Sequence, residues 1–488
     1  ALPILLREFP NVEVVGVGRN GLEALRLVEE FEPDVLFLDV REPPEVAASG
    51  KVPGAVAVPL IVGRALKLPP DQVAMLISAD LLVAGIITII QSLGVGKVAG
   101  VRLPIVCGAT FAGLTPMILI AKEYGLQAVY GSMLVGGVVG IALAVPFAKI
   151  VRYFPPLVTG VVLTVIGISL IGVAGGLIVG NDPTSPSFAD PKNLALAAAV
   201  VVVAVAFICL GRGMWTQLGV LMALVIGTVI AIPMGLIDLS GVGGSAWVGF
   251  PMPFHFGAPE FPVTAVVAMS IVMAVVFAES TASMLAVSEI TGKPLKKADL
   301  ARGLVADGMS GVLGGIFNAF VDTVFSQNVG AVATTRVYSR YVTATSGAIL
   351  IVLGLIPRMG EVVAALPDPV VGGVGIILFS TVAVVGINTL RKVDLSDPIN
   401  TTIAAVSVGI GILPEFAEGM FERFPSSAQI LLGSGITLAA ASAFSLNLLF
   451  NHTRLGELAR RSRESLHATA KSEPATSSAG DASVTVPV

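Results

Sequence analysis

The sequence predicts an all-α integral membrane protein of about fourteen transmembrane segments, and three observations carry that prediction. Of its 488 residues 55% are hydrophobic and only 13% charged, with a mean hydropathy of +0.90, where soluble domains carry about a quarter charged residues. Apolar windows recur from about residue 53 to 450, many of them near the 20 or so residues that a helix needs to cross the hydrocarbon core. Lys and Arg also collect in alternate loops between those windows, as short cytoplasmic loops do. The net charge of -4 says little, because polytopic chains sort charge by side rather than by total. Nothing in the composition suggests a nucleic-acid partner; the partner implied is the lipid bilayer.

The segments follow in chain order. Residues 1–50 differ from the rest: "VEVVGVG", "NGLEALRLVEEF" and "DVLFLDV" read as strand, amphipathic helix and strand. They resemble the middle of a response-regulator receiver domain, with Asp39 at the phospho-acceptor position, and "DVREPPEVAASGKVPGAVAVPL" resembles the opening of a rhodanese module. So short a piece cannot enclose a core, and we expect a fragment without activity. Residues 51–450 form the membrane domain. The stretch 53–66 is about two thirds of a span and is counted as the first. Thirteen windows follow, near 73–94, 103–121, 126–148, 157–180, 193–211, 214–237, 263–288, 300–320, 324–338, 341–357, 364–390, 399–414 and 427–450. Residues 451–488 are polar, with no periodic apolar face, and read as a disordered cytoplasmic tail.

The loops after even-numbered spans hold thirteen basic residues, among them Lys97, Lys149, Lys296, Arg336 and Arg391. Those after odd-numbered spans hold six, such as Lys67, Lys122 and Arg358. Both termini are therefore expected in the cytoplasm, in a multi-pass protein of the cell (inner) membrane. An internal repeat is visible as well: Pro156, Val158, Gly160 and Val161 of the fifth span recur as Pro369, Val371, Gly373 and Val374 of the twelfth. Seven spans apart, an odd number, the copies would be inverted, the architecture of many secondary transporters with substrate near the midplane. Cys107 and Cys209 both fall in apolar stretches and read as small buried hydrophobes. With His255 and His452 outside the spans and no cysteine beside them, no metal site and no cofactor is expected.

Polar residues inside such windows carry the functional reading. "FSQNVGAVATTR", Phe325 to Arg336, sets Gln327 beside Asn328 in apolar surroundings, and Gly330 permits an unwound backbone there. Buried amides are costly without partners, and a carboxamide edge offers an acceptor and two donors to a planar lactam ring. "VVFAESTASMLAVSEI" places Glu279 within the eighth span, where an ionisable group marks function by default, able to exchange a proton and to accept an N–H. Asp80, among apolar residues of the second span, fits a helix-packing bond as well as a functional role.

The string Gln327-Asn328-x-Gly330-x-x-x-x-Thr335-Arg336 resembles the signature of the nucleobase/ascorbate transporter (nucleobase:cation symporter-2) family, in its xanthine and uric acid branch, and the similarity covers about residues 53–450. The resemblance implies a 7+7 inverted repeat with core and gate domains and short strands leading into half-helices in spans three and ten. It implies substrate contacts from Glu279, Gln327, Asn328, Gly330 and Phe111, the last in "GATFAGLTPM". Asp307 and Ser283 would support that site, and Thr335 and Arg336 tune or gate it. It implies proton-coupled symport of a purine nucleobase, with sodium as the other coupling ion in view, and a homodimer through the gate domain. Three departures stand out: no Gln-His pair precedes "GAVAVPLIVG", the eighth span reads Glu279-Ser-Thr-Ala282-Ser283 without a second carboxylate, and Asp322 replaces an uncharged residue. The rivals are an anion transporter of sulfate or bicarbonate type on the same fold, which would not need a central carboxylate, and a chimera without transport activity.

Overall fold

The computed structural model describes residues 52–151, 155–180, 188–211, 214–237, 246–417 and 419–453. The receiver- and rhodanese-like stretch and the polar tail beyond residue 453, both singled out above, lie outside the described residues.

In chain order the elements are α1 (Val52–Ala65), α2 (Pro70–Leu93), β1 (Cys107–Ala109), α3 (Leu114–Tyr124), α4 (Leu126–Ile150), α5 (Pro156–Val179), α6 (Pro191–Leu210), α7 (Met214–Gln217), α8 (Gly219–Ala231), α9 (Val263–Thr291), α10 (Lys297–Phe317), β2 (Asp322–Val324), α11 (Ser326–Thr335), α12 (Arg340–Gly354), α13 (Pro357–Ala364), α14 (Asp368–Leu390), α15 (Pro398–Phe416), α16 (Ser426–Leu432) and α17 (Gly435–Asn451). Prolines open α2, α5, α6, α13 and α15 at the first helical position, where the missing N–H has no helical acceptor to lose. Asp190 and Asp397 cap α6 and α15 by accepting from Lys192 N and Ile399 N, each at 2.9 Å.

Every apolar window holds helix, but not every window is a full span. Among the described residues eight helices are long and apolar enough to cross a membrane, or nine if α12 and α13, bent by 83° around Leu355 and Ile356, count as one. The other segments of the sequence reading, which already counts 53–66 as partial and spans three and ten as strands with half-helices, are shorter for local reasons. Window 103–121 holds the three-residue strand β1 ahead of α3, and window 324–338 opens on the last residue of β2 and holds only the ten-residue α11. Windows 214–237 and 427–450 are interrupted, at Leu218 and at Gly433–Ser434. The chain is thus a mostly helical, multi-pass membrane protein.

Small residues let the helices approach closely. A Cβ on Gly85 of α2 would stand 2.5 Å from the carbonyl oxygen of Gly347 on α12, and one on Gly137 of α4 would stand 2.5 Å from the backbone nitrogen of Val312 on α10. Lipid is as apolar as Leu, so close van der Waals packing of this kind, rather than hydrophobic burial, joins such helices. The main helix pairs are α5 with α14, α4 with α10, α2 with α12, α15 with α17, α4 with α9 and α6 with α8. Helices α6 and α15 are the least enclosed of the long ones, 22% of each apolar window being buried against 78% for α2, so their outer faces meet lipid. Cys209 is exposed on α6 rather than buried as expected, while Cys107 is buried in β1.

At the centre β1 and β2 pair antiparallel, with Cys107 opposite Val324, Gly108 opposite Thr323 and Ala109 opposite Asp322. Thr110 N donates to Val321 O at 2.7 Å and Phe325 N to Val106 O at 3.1 Å, which extends the ladder at both ends. A two-stranded sheet inside a membrane has two open edges, and its unpaired groups must find partners in protein. Hydroxyls supply them. Thr88 of α2 accepts from Cys107 N at 3.0 Å and donates to Cys107 O at 3.4 Å. Ser310 of α10 accepts from Asp322 N at 2.8 Å and donates to Asp322 O at 3.3 Å. Ser280 of α9 accepts from Val324 N at 3.2 Å.

Candidate substrate site

The strand crossing brings three elements together. Each strand turns within a few residues into a short helix, α3 or α11, whose N-terminal N–H groups have no helical acceptor. Helix α9 passes alongside and packs on β2, α3 and α11. On its inward side Glu279 is 8% exposed, and its Oε2 accepts a hydrogen bond from Thr110 Oγ1 at 3.3 Å. The same threonine oxygen accepts from Ala112 N at 3.1 Å, so Thr110 both shapes the chain from β1 to α3 and presents a donor to the carboxylate. Ser280, the next residue, lies 3.0 Å from Thr323 Oγ1. The site is built from hydroxyls and one carboxyl; among the described residues no Lys or Arg side chain bonds to Glu279.

Phe111 is 6% exposed, and its ring meets that of Phe379 on α14 edge to face, 5.0 Å between centroids at 83°. The ring therefore bridges the strand crossing and the α5–α14 layer. Ser283 is buried one turn beyond Glu279 on α9. Asp307 of α10 is fully buried and accepts from Gln91 Nε2 at 3.0 Å. Gln91 also donates to Gly303 O at 2.9 Å and accepts from Val101 N at 3.2 Å, which ties α2, α10 and the chain before β1 into one network behind the site.

The signature string is distributed differently from the expectation. Gln327 is the second residue of α11 and its side chain lies outside the described residues. Asn328 is fully buried, and its Nδ2 donates to Pro104 O at 2.9 Å while Oδ1 has no hydrogen-bond partner. Half of that amide therefore ties α11 to the segment before β1. Gly330 does not unwind the backbone, as the sequence reading expected: it lies inside α11, and a Cβ there would meet nothing within 4 Å. The break in helix falls earlier, at β2 and Phe325, so Gly330 leaves room beside the helix. Thr335 closes α11, its Oγ1 donating to Ala331 O at 2.8 Å and accepting from Val337 N at 3.3 Å. Arg336 is exposed in the left-handed region at φ 54° and ends the helix. These two stand at the far end of α11 from the strand crossing.

Sequence reasoning missed Thr110, Gln91, Thr88, Ser280 and Ser310. A signal for one of them existed. Phe111 and Gln327 are 216 residues apart, and the same step back from Asp307 lands on Gln91. The hydroxyls gave none, since Ser and Thr in apolar helices bond their own backbone as readily.

The Permease family model Xan_ur_permease matches residues 52–418. The Uric acid transporter UacT of Escherichia coli is 39% identical over 401 residues, 82% of this chain and 83% of the relative. The Xanthine permease of Bacillus subtilis is 38% identical over 398 residues, 82% of this chain and 90% of the relative, and the Uric acid permease PucJ of the same organism is 36% identical over 416 residues, 84% and 92%. Among solved structures, the transmembrane domain of the cyanobacterial bicarbonate transporter BicA aligns with TM-score 0.51 at 15% identity, covering 85% of this chain and 98% of that one. SLC26A9 aligns with TM-score 0.54 at 14% identity, covering 91% and 73%. At such identities the structural likeness speaks for the fold alone.

Proposed function

Since this chain belongs to the Xan_ur_permease family and is a transporter rather than an enzyme, we propose that it carries a purine nucleobase, xanthine or uric acid, across the cell membrane by proton symport and alternating access. The observation that carries this reading is Glu279, a buried carboxyl deep in α9, held by Thr110 at the strand crossing. A carboxylate there accepts an N–H of the base, and the carboxamide of Gln327, at the start of α11, pairs with the lactam edge. Phe111 borders the ring, and Gly330 and the open oxygen of Asn328 complete the α11 side. The N-termini of α3 and α11 turn positive dipole ends toward the oxygens of the base. Asp307 and Ser283 support Glu279 from behind, and Thr335 and Arg336 act on α11 from its other end.

An inverted repeat underlies the movement. Its support lies in paired bonds: adding 215 to Thr110 gives Phe325, and subtracting 215 from Val321 gives Val106, so Thr110 N to Val321 O and Phe325 N to Val106 O are mates. Gly108 and Thr323, also 215 apart, face each other. Thr88 on Cys107 and Ser310 on Asp322 repeat the same two-way contact with the first residue of each strand. The α2–α12 pair likewise mirrors α10–α4. In this reading a core domain of spans one to four and eight to eleven, bearing the strands, moves against a gate domain that includes α5 and α14. Both termini are cytoplasmic, and gate faces join two copies.

The test is uptake of labelled xanthine by proteoliposomes, with unlabelled uric acid, hypoxanthine, uracil and sulfate as competitors and with and without a proton uncoupler. Competition by uric acid and loss of accumulation on uncoupling are expected. Competition by sulfate but not by purines would overturn the cargo.

A further inference from the structure

Two aspartates behind the strand crossing have no part in this substrate site. Asp80 of α2 and Asp322 at the start of β2 are both fully buried. Asp80 Oδ1 accepts from Phe320 N at 3.2 Å, only two residues before Asp322, which brings its carboxyl to the α10–β2 connection. Asp80 Oδ2 and both carboxyl oxygens of Asp322 have no hydrogen-bond partner. The two side chains are close enough for the charge of one to act on the other.

The other titratable groups facing them come from every side. Asp307 of α10 and Cys107 of β1 face Asp322. Tyr130 of α4 faces Asp80, and its hydroxyl also has no partner. Glu279 of α9 acts on Asp307. Among the described residues of α1, α12 and α13, which also pack on α2, no charged group reaches Asp80. Among the described residues no Lys, Arg or His reaches either aspartate.

An ionised carboxylate only accepts hydrogen bonds. Two of them side by side in a dry interior leave every free oxygen unpaired, and each uncompensated buried charge costs several kcal/mol. One proton removes one of the two charges and relieves the repulsion, because a neutral carboxyl can donate its O–H to the neighbouring carboxylate. We propose that Asp80 and Asp322 hold one proton between them, as an acid pair separate from the substrate-contacting Glu279, and that this pair carries the coupled proton through the transport cycle. The chemistry is one O–H bond formed with a proton taken from water on one side and broken on release to water on the other. Asp307 is within reach of the charge of Glu279 and itself acts on Asp322, so a base bound at Glu279 changes the field in which the pair gains or loses its proton. The coupling role rests on the symport reading; the acid pair itself does not.

The experiment uses the full-length purified protein and its Asp80→Asn and Asp322→Asn variants. Asn is isosteric and donates where a protonated Asp would, so the variants mimic the loaded pair; Asp322→Glu, which still titrates, serves as the second variant. Infrared spectra should show the band of a neutral carboxyl in the parent near neutral pH, diminished in each Asn variant. In proteoliposomes Asp322→Asn should keep xanthine counterflow and lose accumulation driven by a proton gradient, and Asp322→Glu should retain both. An unchanged band in both Asn variants, or gradient-driven accumulation surviving in Asp322→Asn, overturns the proposal. A parent with counterflow but no gradient-driven uptake overturns the symport reading and the coupling role, and the infrared band then decides the acid pair. A parent without counterflow overturns the cargo.

Discussion

Thr110 Oγ1 stands 3.3 Å from Glu279 Oε2 and joins the first residue after β1 to an inward position of α9. That bond orders the carboxylate that we assign to the substrate, and it fixes where α3 begins relative to α9. Hydrogen bonds to charged groups contribute about 1.5–3 kcal/mol. Thr110→Val should therefore weaken binding of labelled xanthine by about ten- to a hundredfold, while Thr110→Ser keeps it near the parent. Glu279→Gln should abolish accumulation altogether. Parent-like accumulation by Glu279→Gln, measured in proteoliposomes, would show that the carboxylate is not where the base binds.

Phe111 and Phe379 give the second prediction. Their edge-to-face contact is the aromatic link between the strand crossing and α14, and such pairs add about 0.5–1.5 kcal/mol beyond their buried area. If core and gate slide past each other in transport, this contact must break and reform. Phe379→Leu keeps an apolar side chain and removes the ring, so KM for xanthine uptake should change by roughly two- to tenfold with expression unaltered. No change in KM or kcat would place both rings outside the moving surface.

How much of this was legible beforehand depends on which physical signal each residue leaves in a sequence. Long apolar windows located every helix among the described residues except α13, which falls between windows 341–357 and 364–390, because the bilayer demands continuous hydrophobicity and Pro70, Pro156 and Pro191 mark starts. The strands of spans three and ten came from the family resemblance and not from hydropathy: "PIVCGATFAGLTPM" is apolar enough for a helix, and only the pairing of Cys107–Ala109 with a strand some 215 residues away makes it a strand. Glu279 and Asp80 stood out because charge is rare in such a chain, and Asp307 came from the family resemblance. Thr110, Thr88 and Ser310 did not, since their role is to bond strand edges that exist only once the two halves meet. Asn328 was read as facing substrate, and one end of its amide instead holds Pro104 O.

Gly85 and Gly347 carry the third prediction. Each would place a Cβ within 2.8 Å of the other's carbonyl oxygen, so the α2–α12 crossing closes only with hydrogen at both positions. Backbone cannot yield as a side-chain end can, and overpacking a tight interior costs typically about 1–3 kcal/mol, sometimes more. Gly85→Val should lower the thermal midpoint in detergent and the folded yield. Gly330→Ala, where a Cβ meets nothing within 4 Å, is the matched control and should leave stability near the parent or slightly higher, since Ala favours a helix over Gly by about 0.8–1 kcal/mol. Equal loss in both would deny that the crossing depends on close approach.

Arg64 supplies the last prediction, at the end of α1. Its Nη2 donates to Ala364 O at 3.1 Å and to Leu366 O at 2.9 Å, and its Nη1 lies 2.7 Å from Asp368 Oδ1. The two carbonyls belong to the last residue of α13 and to the linker before α14, which lack helical donors at a helix end. The ion pair is about a third exposed on each side, so water screens it and its worth is about 0–1 kcal/mol. The fork onto two carbonyls is the stronger part, and a Lys ammonium is a point charge that cannot reproduce it. Loss of thermal stability should therefore run Arg64→Ala, then Arg64→Lys, then Asp368→Asn, with the first near 1–2 kcal/mol and the last within about 0.5 kcal/mol. If Asp368→Asn costs as much as Arg64→Ala, the charge pair and not the carbonyl fork holds α1 to the α13–α14 junction.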